Sequence, residues 1–494
     1  MASFKVFPGL TVVLVVAVKI CLAPAPDHPP ARGALVAPFL KIGPQAIASG
    51  VMGPHYGLFT CQLLGLSPSA TCYDPFQIRH AYNIDTVINA GYDGRGKTIV
   101  IIDAYQSPNI VQELNFFNAF YGLPSLNGLG DLKNTSLGTF TEVAPEGLTQ
   151  FVAGDPNMTI WAEEISLDVL WAHAIAPGAN IVLVMAKSNL DADMFSATKY
   201  AVDNSLGDVI SQSFGENESC MSPSLLAQQQ QVFEEATAKN ITLFASAGDY
   251  GSAELNCDGF AFVKAASNPA VDPLVTAVGG TELHAASYCL GDFGCNLNAN
   301  PVRGTYESEV VWNEAGIGAG GGGFSLGYGE PSYQVATIRG GKQRGEPDVS
   351  YNAAVYHGVL TYLNIPGLSA GFYLFGGTSA GSPQWAALLA IAGQKAGHNL
   401  GYINKALYLI GQAQSSYSAS FNDITSGNNG DFGVLGFSAG PGWDAASGLG
   451  SPKAAELVAH LIEFVAPGDG TAAINQLISH PSGNPPTPGQ MNPH

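Results

Sequence analysis

The chain reads Phe375-Gly376-Gly377-Thr378-Ser379-Ala380-Gly381-Ser382-Pro383 and then enters the apolar stretch Gln384 to Ala390. A glycine-rich turn thus holds Ser379 at the mouth of a helix. Such a turn exposes the hydroxyl, and a helix N-terminus favours negative charge beside it. Those are the needs of a nucleophilic serine in acyl transfer, and such a serine requires a base. Histidine is the usual one, but none of the ten sits in a His-Gly-Thr type segment, and His173 in Trp171-Ala172-His173-Ala174 reads as a packed helix residue. Carboxylates offer a better base. In Glu163-Glu164-Ile165-Ser166-Leu167-Asp168, Glu164 and Asp168 stand at i and i+4, on one face of a helix. If desolvated, two like charges at that spacing share a proton, and one pKa rises. A carboxylate so placed can accept the serine proton at acidic pH, where an imidazole is already protonated. By spacing alone the same pair also suits a solvated helix face. A third acid, Asp249 in Ala247-Gly248-Asp249-Tyr250-Gly251, follows an apolar strand. As a protonated acid it can donate to an oxyanion, together with a backbone N–H near Ser379; as an ordinary turn residue it would cap its own backbone.

Positioning these groups requires a scaffold. Lys97 to Asp103, Ile181 to Met185, Val209 to Ser213 and Ile241 to Ala247 read as continuous apolar strands. Between them Val111–Tyr121, Glu163–Ala174, Asp191–Asn204 and Leu225–Lys239 read as helices. Buried strands alternating with helices predict an α/β fold with a mainly parallel sheet covered on both faces. In open α/β sheets the C-terminal strand edge is where sites form, and Asp249 falls there.

Composition bounds the partners. Asp and Glu number 39 against 19 Lys and Arg, a formal net charge of −20. Nucleic acid and anionic membrane surfaces are therefore excluded as expected partners. The balance fits an ordinary acidic soluble protein, or one adapted to low pH, where protonation removes most of the charge. Residues 1–25 combine a lysine, a short apolar run and small residues, in the manner of a secretory signal or an N-terminal anchor. Residues 26–72, rich in Pro, Gly and Ala, read as a short leader or pro-segment, 73–465 as the main domain, and 466–494 as a flexible Pro/Gly-rich tail. Of seven cysteines, Cys21 falls in the signal. The sequence-near pairs Cys61–Cys72 and Cys289–Cys295 leave Cys220–Cys257 as one of several possible disulfide sets.

With Ser379, the Glu164/Asp168 pair and the Gly248-Asp249 loop in place, the chain resembles the sedolisins, the serine-carboxyl peptidases, from about residue 73 to about 465. The ordered set that carries the likeness includes Tyr73-Asp74-Pro75, Ile101-Ile102-Asp103-Ala104-Tyr105, Ala176-Pro177-Gly178-Ala179-Asn180 and Ala277-Val278-Gly279-Gly280-Thr281. Val311-Trp312-Asn313, Gly321-Gly322-Gly323-Phe324-Ser325, Pro331-Ser332-Tyr333-Gln334 and Pro347-Asp348-Val349-Ser350 continue it. The resemblance implies a subtilisin-like fold, with Ser379 as nucleophile, Glu164 as general base and acid, Asp168 orienting Glu164, and Asp249 stabilising the oxyanion. It also implies one structural calcium ion. Asp423 and Asp444 would supply side chains, and Ile424, Gly440 and Gly442 would supply carbonyls; read alone, these are Asp/Gly turns. Family members carry a long N-terminal prodomain, whereas fewer than about fifty residues separate the signal from the domain here.

The expectation is a secreted, monomeric endopeptidase that cleaves proteins or peptides at acidic pH through an acyl-enzyme. A tripeptidyl exopeptidase of the same family fits equally. Two other readings stay open: a histidine-dependent serine protease using Asp103, and a non-catalytic, calcium-stabilised binding protein on a peptidase scaffold.

Overall fold

The computed structural model describes residues 35–52, 56–63, 71–127, 138–288, 303–338 and 341–479. Its centre is a sheet built from β1 (Thr98–Ala104), β2 (Phe140–Val143), β3 (Asn180–Ala186), β4 (Val209–Gln212), β5 (Thr242–Ser246), β6 (Thr276–Ala285), β7 (Tyr306–Val311) and β8 (Val349–Asn352). The spatial order is β7-β6-β5-β4-β1-β3-β2, with β8 also pairing β6. Only the β6–β7 pairing in this sheet is antiparallel. β1 lies between β3 and β4 and is buried from Ile99 to Ala104, which is why its sequence is an unbroken β-branched run rather than an alternation.

Helices flank the sheet as expected. α1 is Ile110–Tyr121, α2 Pro156–Ile175, α3 Asp191–Asp203, α4 Pro223–Ala238 and α5 Ser382–Ala396. α2 packs on α5, and α3 packs on α4. Asp155 caps α2 by accepting from the N–H groups of Asn157 and Met158, and Pro156 occupies the first turn, where its missing N–H costs nothing. From Trp161 onward α2 is buried on every side except at Glu163. A helix apolar all round is a core helix, so Glu164 and Asp168 lie inside the protein and the solvated-face alternative falls.

Two segments read as loose ends are built into the body. Within residues 26–72, Ala37–Pro38 pairs antiparallel with Phe214–Gly215, and Lys41–Gln45 pairs antiparallel with Gly371–Gly376. At the other end, Asp469–Ser479 forms a helix where a flexible tail was expected. Lys405 Nζ holds Asp469 at 2.6 Å, and the proline-rich composition behind the tail reading begins only at Pro481. Disulfides join Cys61 to Cys72 and Cys220 to Cys257, as two of the three expected pairs. Cys289–Cys295, Cys21 and the signal lie outside the described residues. Among the described residues, no single helix is long and apolar enough to cross a membrane.

Candidate active site

The turn that carries Ser379 follows the strand Gly371–Gly376. Gly377 has φ 93°, a conformation costly for any residue with a Cβ, and the chain then makes a short 3₁₀ turn over Thr378–Ala380 before α5. Ser379 is fully buried, and its Oγ donates to the Ser213 carbonyl at 3.1 Å. α2 brings its two acids to the same point. Glu164 interacts with the Ser379 hydroxyl and with Asp168, and Asp168 interacts with the Ser213 hydroxyl. Counted as two carboxylates, neither acid has an aligned hydrogen-bond donor at either of its oxygens. A proton held by one acid would give the other a donor, which a pair of bare carboxylates lacks. Burial pushes the Glu164 carboxyl well above the ordinary carboxylate range, with Asp168 and then Asp103 adding to the rise. Burial raises Asp168 as well.

Asp249 lies just beyond the C-terminal end of β5. Its Oδ1 accepts from the Thr378 N–H at 2.7 Å and the Thr378 hydroxyl at 3.0 Å, while Oδ2 has no hydrogen-bond partner. Burial raises its pKa to about 6, against the opposing pull of Lys41 and the two Thr378 bonds. Lys41 Nζ stands 3.9 Å from the free Oδ2. A Cβ built on Gly377 would lie 2.6 Å from that same Oδ2, so the glycine keeps open the space between the acid and the turn that carries Ser379. The fold therefore brings Ser379, Glu164 and Asp168 together and aims Asp249 at the turn that carries Ser379.

Imidazole plays no part in this constellation among the described residues. His173 shares a hydrogen bond with the Pro124 carbonyl at 2.8 Å, and His284 and His357 both face Glu282 at 3.2 Å. The histidine-dependent reading thus loses its base. Asp103 is nonetheless part of the site. It is fully buried at the end of β1, and burial together with Asp168 raises its pKa strongly. The sequence assigned it only to the discarded alternative, although it ends an apolar strand just as Asp249 follows one. Glu254 was missed altogether. Its Oε1 crowds the other side of Gly248, and burial pushes its pKa to about 8. It follows a loop, and no spacing ties it to the other acids.

The two expected acidic cation ligands each accept from the N–H of a glycine expected to supply a carbonyl. Gly442 N–H donates to Asp423 Oδ1 at 3.1 Å and Gly440 N–H to Asp444 Oδ2 at 2.9 Å, and the Tyr417 hydroxyl, which donates to Asp423, feels both carboxylates. Two acids on adjoining glycine loops fit a hard cation that takes oxygen ligands. Ile424 is buried beside them in sequence.

No protein-family model matches the chain. Over 411 residues it is 33% identical to kumamolisin of Bacillus sp. (strain MN-32), a match covering 80% of this chain and 65% of that protein. It is 33% identical over 273 residues to sedolisin of Pseudomonas sp. (strain 101), covering 54% of this chain and 42% of the relative. Tripeptidyl-peptidase 1 of Rattus norvegicus is 28% identical over 281 residues, 53% of this chain and 44% of that protein. The chain thus spans less than two thirds of the length of each of these curated relatives. The solved structure of Pseudomonas sedolisin, a serine-carboxyl proteinase complexed with two molecules of pseudo-iodotyrostatin, superposes with a TM-score of 0.65 at 27% identity. That likeness covers 80% of this chain and 99% of the solved one. With a buried acid pair against a serine at the edge of a subtilisin-like sheet, and with sequence and structural likeness extending over most of its length, the chain belongs to the sedolisin family of serine-carboxyl peptidases.

Proposed function

We propose that the protein is an exported serine-carboxyl endopeptidase that hydrolyses protein substrates at acidic pH. Ser379 Oγ attacks the substrate carbonyl carbon, and its proton passes to Glu164. The charge that develops on the substrate oxygen is held by the Ser379 N–H and by the protonated Asp249 carboxyl. Glu164 then returns the proton to the leaving amine, and water repeats the sequence on the acyl-enzyme. Asp168 keeps the proton it shares with Glu164 in place, and Asp103 lies close enough to both acids to raise the Glu164 pKa further. The observation that carries this reading is the buried contact of Glu164 with both Ser379 and Asp168, with no imidazole nearby among the described residues.

The Asp249 carboxyl must be neutral to donate. Its pKa of about 6 makes it a donor in acid and a repulsive anion above that value. Asp423 and Asp444, with carbonyls of Ile424, Gly440 and Gly442, would hold a calcium ion that ties the loops after α5 together, in a structural role. Secretion is supported by the signal-like residues 1–25 and by the two disulfides. The domain limits proposed are 1–25, 26–72, 73–465 and 466–494, with the protein acting as a monomer. Hydrolysis of a denatured protein by the wild type, Ser379→Ala and Glu164→Gln tests the assignment. Both variants should lose at least about a thousandfold in rate, and full activity in either one removes the mechanism.

A further inference from the structure

We propose that Glu282, His284 and His357 form a binding site for one divalent transition-metal ion of the zinc type. The site lies outside the serine and carboxyl constellation, and the inference does not depend on the peptidase reading. Glu282 and His284 stand two apart on β6, so their side chains share one face, while Leu283 between them is fully buried on the other. His357 opens the strand His357–Leu363 and reaches the same place from a different part of the chain. Glu282 Oε1 lies 3.2 Å from His284 Nε2 and 3.2 Å from His357 Nδ1, and the two imidazole rings meet edge to face at 4.6 Å. The three ligand atoms all lie within 4.8 Å of one another.

The donor set decides the kind of ion. Two imidazole nitrogens and one carboxylate oxygen suit zinc and its neighbours in the first transition row, and set the site apart from calcium and magnesium, which take oxygen ligands. Bonds of about 2.1 Å at tetrahedral angles put neighbouring ligand atoms roughly 3.4 Å apart. The two nitrogen-to-oxygen separations of 3.2 Å are close to that edge length, so an ion can enter with little movement of the side chains. His357 Nδ1 is itself shielded from solvent and makes no hydrogen bond, although Glu282 stands beside it. A shielded ring nitrogen without a partner is a cost that a metal bond removes. The side chains of Glu282, His284 and His357 keep 21%, 38% and 24% exposure, which leaves an entry path and a fourth position for water.

The fold holds these ligands in place through a second layer of contacts. Asn352, which ends β8, accepts the Leu283 N–H at 3.0 Å and donates from Nδ2 to the His357 carbonyl at 2.7 Å. One side chain thus ties both ligand-bearing strands together. The corner before His357 is fixed by Glu314, whose carboxylate accepts the Val355 and Tyr356 N–H groups at 2.8 Å each. Ligands on strands supported in this way need little ordering, which favours affinity. Next to Asn352, Ala353 donates to the Thr281 carbonyl at 2.8 Å and accepts the Gly377 N–H at 2.7 Å. A bound ion therefore braces the segment from which the turn that carries Ser379 hangs.

The test is calorimetric titration of the full chain with zinc chloride at about pH 7.5, where imidazole is neutral, with calcium in excess throughout. The wild type should bind one Zn²⁺ per chain with a Kd of about 10 µM or tighter. Co²⁺ in its place should show the visible absorption bands of an ion held by imidazole nitrogen. Glu282→Gln and His284→Asn should each weaken Zn²⁺ binding at least about tenfold and remove the Co²⁺ bands. Both positions are partly exposed, so the metal-free variants should melt like the wild type, and only the wild type should gain in Tm with Zn²⁺. His80→Gln, which breaks the 2.7 Å pair with Asp85, serves as a control for surface histidines and should leave the titration unchanged. No binding up to about 100 µM Zn²⁺, or binding of equal strength in the wild type and in both ligand variants, would overturn the site.

Discussion

Glu113 gives the clearest quantitative test of how this interior handles charge. It lies on α1, and its carboxylate accepts from the Ser166 hydroxyl and from the Asn364 N–H, each at 2.6 Å. Ser166 stands on α2 between Glu164 and Asp168, so Glu113 buttresses the helix that carries both acids. Burial raises the Glu113 pKa from 4.5 to about 7, and the two hydrogen bonds only partly oppose the rise. The fold therefore holds this proton more tightly than the unfolded chain does. The stability it contributes is fully present below the unfolded value and is lost as pH climbs through about 7. At about 1.4 kcal/mol per tenfold in proton affinity, ionising Glu113 in place costs on the order of 3 kcal/mol. Guanidinium unfolding at about pH 4 and about pH 8 compares the wild type with Glu113→Gln, which keeps the volume and cannot ionise. The wild type should lose about 3 kcal/mol more than the variant between the two pH values. Equal losses in both proteins would refute the reasoning. Glu254, at about 8, and Asp272, at about 6, are raised mainly by burial and act with the same sign, so the protein as a whole should be more stable in acid than at neutral pH.

Asp249→Ala should lower kcat on a denatured protein by about a hundredfold to a thousandfold, the range expected for losing one oxyanion donor. Asp249→Asn donates at every pH, so its rate should no longer fall as pH passes about 6; a limb unchanged from wild type would exclude Asp249 as its source. Gly377→Ala should abolish hydrolysis, because its Cβ would stand 2.6 Å from Asp249 Oδ2 and φ is 93°; normal rates would show that the space beside the turn is not used. Chelation of calcium should lower Tm in the wild type and leave Asp423→Asn unmoved, and equal shifts in the two would argue against an ion held by Asp423.

Much of the scaffold was legible because apolar runs such as Ile99–Ile102 can only be buried strands, and because Gly377 and Gly381 punctuate the nucleophile turn. The environment of Glu164 was less so. Acids at i and i+4 suit a wet face and a dry one alike, and only the apolar residues around them, Ile165, Leu167, Val169 and Leu170, carry the sign that α2 is buried throughout. The leader left no readable pattern. Its contacts run through backbone groups of Val36 to Phe39, which any sequence without a side-chain clash can make, so no periodicity marks it. Lys41 illustrates the same gap, since its meeting with Asp249 depends on a crossing that spans more than two hundred residues of chain.

The central claim is that a carboxyl group, not an imidazole, takes the proton from Ser379. The direct measurement is the kcat/KM profile on a denatured protein from about pH 3 to about pH 8, for the wild type and Glu164→Gln. Activity should be greatest in acid, decline through about pH 6 as Asp249 ionises, and be absent at every pH in the variant. A wild-type rate that rises through neutrality and holds there, or a Glu164→Gln enzyme that keeps its activity, would contradict it.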